Sequence, residues 1–345
     1  MQEKFKQLVE TASKIVIIQA DNPDADSLGS ALALEHIVGD LGKNVELYCG
    51  VDMPGYLHYM SGWDRVKKDL PTKFDASIIV DASTTTLLEK LDQAGQLGWV
   101  KARPTAVLDH HAIVENKIDF AEVVICDGEL SSTGELIYNL ASSLGWAINT
   151  EAGGHIMSAI LGDTQGLTND LASAATYRAM AALTEAGVSR PLLEELRREY
   201  SKMPPEIFRY KGELIARTDL TAGGRIATVT IPQTEINTFS PLYNPAPLIQ
   251  NDMLQTTGVL LSIVFKQYDD GKVTAAIRAN QGAAVAGRLA EKMGGGGHAY
   301  ASGFKVTDGR PFNEVRSECL EFATHLLDTL DKEPSDETVQ HAIAS

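Results

Sequence analysis

The chain has 345 residues, 44% of them hydrophobic and 22% charged, with a formal net charge of −16. That length exceeds one ordinary domain, and the composition is that of a globular protein. The acidity argues against a broad basic face for long duplex nucleic acid, whereas a small anion needs only local cations, metal ions or backbone N–H groups.

The opening MQEKFKQLVETASKIVIIQA reads as an amphipathic segment running into a short apolar strand, with no signal-peptide pattern and no membrane span. Strand-like runs then alternate with helical patterns: KIVIIQA, a helix over 27–42, NVELYC, ASIIVDAS, PTAVLDHH and VVIC at 123–126. Such alternation predicts a parallel sheet with crossover helices. Further helices are expected near 132–145, 151–162, 173–186 and 190–199. The stretch YSKMPPEIFRYKGELIART holds a proline pair and no strand signal, which marks a connector. Beyond it RIATVTI, TTGVLLSIVFKQY, KVTAAIRA and ASGFKV read as strands, PLIQNDML and AAVAGRLAEKM as helices, and a last amphipathic helix covers 312–331.

The fold class is therefore α/β, with a parallel-sheet domain flanked by helices over 1–190, a helical connector over 191–215, a smaller α/β domain over 216–331 and a flexible tail over 332–345. Cys49, Cys126 and Cys319 are far apart and form no CxxC pair, which fits a reducing cytoplasm.

Chemistry-bearing residues follow apolar runs. Asp24 and Asp26 stand in IIQADNPDADSLGS, Asp81 in IIVDAS, Asp109, His110 and His111 in AVLDHH, and Asp163 in SAILGDTQG. In an open parallel sheet the carboxyl ends of strands line the ligand crevice, so these loops converge on one edge. Each residue also has a plain structural reading: Asp26 as a helix N-cap, Asp81 and Asp109 as turn residues, His110 as a core histidine. Those readings do not account for the ordered set. Carboxylates gathered with imidazole and without nearby Lys or Arg call for divalent cations, and an oxygen-rich set favours manganese or magnesium over structural zinc.

These motifs resemble the DHH superfamily: NPDADSLGS, VDAS, DHH and GDTQG in order, followed by GGGGHAYASGF, which is similar to the glycine-rich signature of the DHHA1 domain. The resemblance spans residues 14–330 and implies a DHH domain followed by DHHA1, with the active site in the cleft between them. It implies two metal ions, typically manganese, with magnesium an alternative. Asp24 and Asp81 would hold one, and Asp26, Asp81, His110 and Asp163 the other. It further implies that His111 faces the leaving oxygen, that Asp109 orients an imidazole, and that Arg278, Gly295, Gly296, Gly297 and His298 contact phosphate. The branch it points to hydrolyses short oligonucleotides, pApA, pAp or cyclic di-AMP; homodimers are common there, and neither long duplexes nor membranes are partners.

One position departs. The family's first motif opens with a metal-binding histidine four residues before the first Asp, where this chain has Ala20. A methyl group cannot coordinate a cation, so Gln19, Asp21 or His155 would have to substitute, or the first ion would keep more water. The alternative is a nucleotide-binding protein that has lost turnover.

Overall fold

The computed structural model describes residues 1–111, 118–240, 243–297 and 299–330. His298 and the tail, both expected to matter or to fray, lie outside the described residues. The chain divides into two compact units, Met1–Lys202 and Met203–Ser345.

The first unit runs α1 (Gln2–Thr11), β1 (Lys14–Ile18), α2 (Ala25–Asp40), β2 (Asn44–Tyr48), β3 (Ala76–Val80), α3 (Glu89–Gln93), α4 (Leu97–Lys101), β4 (Thr105–Asp109), β5 (Val123–Cys126), α5 (Thr133–Leu144), α6 (Thr150–Asp163), α7 (Ala174–Glu185) and α8 (Arg190–Tyr200). Its five strands are all parallel, in the order β2-β1-β3-β4-β5. Strands covered on both faces need apolar side chains in both directions, which is why KIVII and ASIIV show no polar alternation. Ile15 and Ile17 join a core with Leu28, Leu32, Leu136 and Ile156, while Val16, Ile18 and Val107 join another with Leu88, Leu97 and Val100. A fully buried leucine such as Leu28 or Leu32 contributes about 2 kcal/mol by area.

Because β1 pairs with β2 on one side and β3 on the other, the strand order reverses between β1 and β3. This is the crevice where open α/β sheets bind ligands. Three glycines set the helices around it. A Cβ at Gly29 of α2 would lie 2.7 Å from the His155 carbonyl oxygen of α6, one at Gly134 of α5 would lie 2.5 Å from the Ala159 Cβ, and one at Gly162 would lie 2.7 Å from the Ala25 Cβ. Only glycine lets these helices approach so closely.

The second unit runs α9 (Pro205–Ala216), β6 (Asp219–Thr221), β7 (Ile226–Pro232), α10 (Gln233–Phe239), α11 (Pro245–Leu254), β8 (Leu261–Gln267), β9 (Val273–Ala279), α12 (Ala286–Lys292), β10 (Gly296–Gly297), β11 (Ala301–Val306) and α13 (Phe312–Leu330). Its sheet order is β10-β11-β9-β8-β7-β6, with β7 and β8 parallel and the other pairs antiparallel. The strand read from Thr256 starts only at Leu261, because Val259 N–H donates to the Thr256 carbonyl and Gly258 takes φ 86° to make a turn. Among the described residues no helix is long and apolar enough to cross a membrane.

Candidate metal centre

The motif residues of the first unit meet at the carboxyl ends of β1, β3 and β4 and the C-terminus of α6. Asp26, in the first turn of α2, is fully buried. Its Oδ2 accepts the Thr133 N–H at 2.7 Å, and its Oδ1 accepts the Gly134 N–H at 2.9 Å and the Ser30 hydroxyl at 3.0 Å. Two open N–H groups at the start of α5 thus hold a carboxylate, as a helix N-terminus favours. Burial first, then Asp163, still raises the Asp26 carboxyl to about 6 against these donors and His110.

The N-cap reading belongs to the other aspartate. Asp24 caps α2, its Oδ1 accepting the Asp26 and Ser27 N–H groups at 3.0 Å each. Its cap role takes the place of the plain N-cap reading of Asp26, because the helix starts two residues earlier than read. Asp24 is exposed and belongs to neither of the two donor groups described below.

Asp81, just past β3, is buried and holds φ 54°, a left-handed conformation costing a non-glycine residue about 1 kcal/mol or more. Burial and the neighbouring Asp26, Asp24, Asp109 and Asp163 push its carboxyl well above the usual range. His110 Nε2 lies 3.0 Å from Asp163 Oδ2, 3.6 Å from Asp26 Oδ2 and 3.9 Å from Asp81 Oδ1. Nδ1 lies 3.3 Å from the Leu130 carbonyl, which can only accept, so Nδ1 carries the proton. Nε2 itself is buried and completes no hydrogen bond. Burial lowers the His110 pKa, but Asp163 and Asp26 outweigh it and raise it to about 9. Three carboxylates around one unpartnered imidazole nitrogen require a positive charge in their midst, and a divalent ion fits that demand.

Donor atoms within 4.8 Å of one another form two groups, Asp26 with His110 and Asp163, and Asp81 with His110 and His111. Asp109, at the end of β4, accepts the His111 N–H at 3.1 Å and faces His111 Nδ1 at 2.8 Å. Burial raises the Asp109 carboxyl, yet its bonds from His111 and Ser83 and the His111 charge hold it below the usual value. The His111 side chain is 59% exposed, its ring 4.4 Å from that of His110.

Of the three substitutes for the absent histidine, Asp21 and His155 belong to neither donor group. Ala20 is buried in the core on the α3–α4 side. Asp21 accepts the Lys90 N–H at 2.7 Å and so fastens its loop to the start of α3. His155 stacks on His36 at 5.6 Å, two turns back along α6 from Asp163. Gln19 is fully buried with neither amide atom hydrogen-bonded.

In the second unit Arg278 is exposed on β9, its Nη1 bonded to the Ile277 carbonyl at 2.9 Å. Gly295 and Gly297 are needed for packing: a Cβ would fall 2.2 Å from the Gly303 oxygen and 2.6 Å from the Ser302 Cα. Gly296 alone of these three faces open space. Sequence reasoning missed Thr133 and Gly134, although Ser132-x-x-Glu135 is a helix-start signature that could have located them.

Residues 14–162 match the DHH family, N-terminal domain, and residues 246–329 match the DHHA1 domain. The chain carries a DHH N-terminal domain and a DHHA1 domain. It is 24% identical over 282 residues to the bifunctional oligoribonuclease and PAP phosphatase NrnA of Thermus thermophilus, covering 82% of this chain and 81% of that protein. It is 23% identical to the Bacillus subtilis protein of the same name, over 87% of this chain and 92% of that one. The crystal structure of an exopolyphosphatase-related protein from Bacteroides fragilis superposes with a TM-score of 0.82 at 23% identity, covering 96% and 97% of the two chains, which establishes the shared fold.

Proposed function

We propose that this chain is a divalent-metal-dependent phosphoesterase that hydrolyses phosphodiester or phosphomonoester bonds in small nucleotides and very short oligonucleotides. The observation that carries the reading is His110 Nε2, buried, unpartnered and ringed by three carboxylates. Asp26, Asp81, His110 and Asp163 would hold a manganese or magnesium ion, since hard carboxylate oxygens with one imidazole suit those ions. Bound there, the ion supplies Lewis-acid neutralisation of phosphoryl charge and activation of water.

The chain's own residues do the rest. The start of α5 keeps Asp26 oriented, and the Leu130 carbonyl keeps the His110 lone pair turned inward. Asp109 holds the His111 Nδ1 edge, which leaves Nε2 to meet a leaving oxygen. Arg278 and Gly296 are assigned to phosphate contact in the second unit. The relatives' stated substrates, oligoribonucleotides and PAP, fit this chemistry and the acidic surface. A second reading, nucleotide binding without turnover, is favoured by Ala20 and by the commitment of Asp24 to a cap.

The deciding experiment incubates the protein with manganese or magnesium and pApA, cyclic di-AMP, a short RNA or 3′-phosphoadenosine 5′-phosphate. Cleavage that needs metal and is lost in Asp81→Asn supports the enzyme. Folded protein that cleaves none of the four selects the binding reading.

A further inference from the structure

Asp24 and Asp163 also line a cavity of about 440 Å³ that lies wholly within the first unit. That volume is within the range of roughly 300–1,000 Å³ usual for small-molecule sites. Its walls carry Tyr56 and Tyr59 from the stretch after β2, Leu161 from α6, and Arg190, Leu193 and Arg197 from α8. The last three lie at i, i+3 and i+7, so one face of α8 forms part of the lining.

The lining carries both signs of charge: the carboxylates of Asp24, Asp163 and Glu194 and the guanidinium groups of Arg190 and Arg197. Arg197 is forked onto Glu194, with Nε and Nη2 each 2.8 Å from a carboxylate oxygen. Arg190 has no ion-pair or hydrogen-bond partner among the described residues. In a chain of net charge −16, an unpartnered guanidinium lining a cavity is a ready contact for an anion. The lining is also aromatic and aliphatic, and Tyr56 is 51% exposed, open to stacking.

We propose that this cavity is a nucleoside subsite: it holds the nucleoside next to the scissile phosphate, its base against Tyr56 and Leu193, and Arg190 takes a further phosphate on that nucleoside. The proposal rests on the phosphoesterase reading. It assigns to the first unit, and to α8 in particular, a preference for substrates carrying a phosphate beyond the one that is cleaved. A phosphate beside Asp24 and Asp163 is tolerated only with a cation next to it, whereas one beside Arg190 is met directly.

The test is calorimetric binding of non-hydrolysable methylenephosphonate analogues of diadenylate, with and without a 5′-phosphate, to the full manganese-loaded chain. Arg190→Ala is expected to weaken the phosphorylated analogue about tenfold, the scale of a lost charge-assisted contact, and to leave the unphosphorylated one unchanged. Leu193→Trp, which fills the cavity, is expected to weaken both, with melting temperature confirming the fold. Wild-type affinity in both variants overturns the subsite, as does an equal effect of Arg190→Ala on the two analogues. Turnover of pApA by the unaltered chain is measured in parallel. Turnover without the binding pattern removes the subsite alone, and the binding pattern without turnover removes the phosphoesterase reading while keeping the subsite.

Discussion

The two sides of the carboxylate cluster, two residues apart in sequence, are built differently. Asp26 is buried, held by two backbone N–H groups and a hydroxyl, and faces His110. Asp24 is exposed, its Oδ1 already capping α2, and the methyl of Ala20 offers nothing to a cation. The difference teaches that a shared motif does not give its members equal ligand value; the backbone decides which carboxylate is pre-organised. Because His110 belongs to both donor groups and its Nδ1 is taken by Leu130, only one ion can use it. The cluster is therefore expected to hold one tight ion and one weaker.

The largest expected effect comes from removing the shared ligand. His110→Ala should lower both metal affinity and turnover by at least about 100-fold, since even partners that only orient a ligand cost 10–100-fold when lost. Unchanged manganese affinity in equilibrium dialysis would remove the Asp26 side as the strong one. Counting ions comes next. A manganese titration followed by electron paramagnetic resonance should resolve one tight ion per chain, and Ala20→His should tighten the second by roughly tenfold or more, on the same scale. Two equally tight ions in the unaltered chain would break the asymmetry.

A third test asks whether His155 fills the gap. Burial, with His36 and Arg65 nearby, lowers its pKa from 6.5 to about 3. As pH falls below 6.5 the unfolded chain takes up a proton that the folded chain refuses, so stability drops with falling pH until about pH 3. The metal-free protein should lose about 1 kcal/mol per pH unit from this group between pH 6 and 4. His155→Asn should flatten that dependence in urea melts and leave manganese affinity intact. A fall in metal affinity would return His155 to the site.

How far this was legible in the sequence depends on what carries the signal. The three inner strands of the first unit are visible because burial on both faces leaves largely apolar runs such as KIVII and ASIIV. Asp26, Asp81, Asp109, His110, His111 and Asp163 could be placed at element ends, which parallel-sheet topology gathers on one edge. The Thr133 and Gly134 cradle could not be read, because a backbone N–H has no side-chain signature. Nor could α10, whose residues include none that is buried, or β6, which is three residues long. In the glycine-rich stretch a packing need lies behind part of the composition: Gly297 pairs with Ser302 of β11, and a Cβ at Gly295 would meet the Gly303 oxygen.

The smallest effect is the sharpest on the comparison. If Asp24 serves chiefly as a cap, Asp24→Ala should cost about 1 kcal/mol of stability, the usual value for losing an N-cap, and Asp24→Asn should cost only a fraction of that because the amide oxygen still accepts. The tight ion should bind both variants as it binds the unaltered chain, while the weaker ion loses affinity in each, since neither an amide nor a methyl replaces a carboxylate charge. Stability and metal affinity would thus separate: Asn rescues the first and not the second. Should Asn rescue both, or should the tight ion weaken in either variant, Asp24 is more than the cap and outlying ligand that its geometry makes it, and the two sides of the cluster form a single unit.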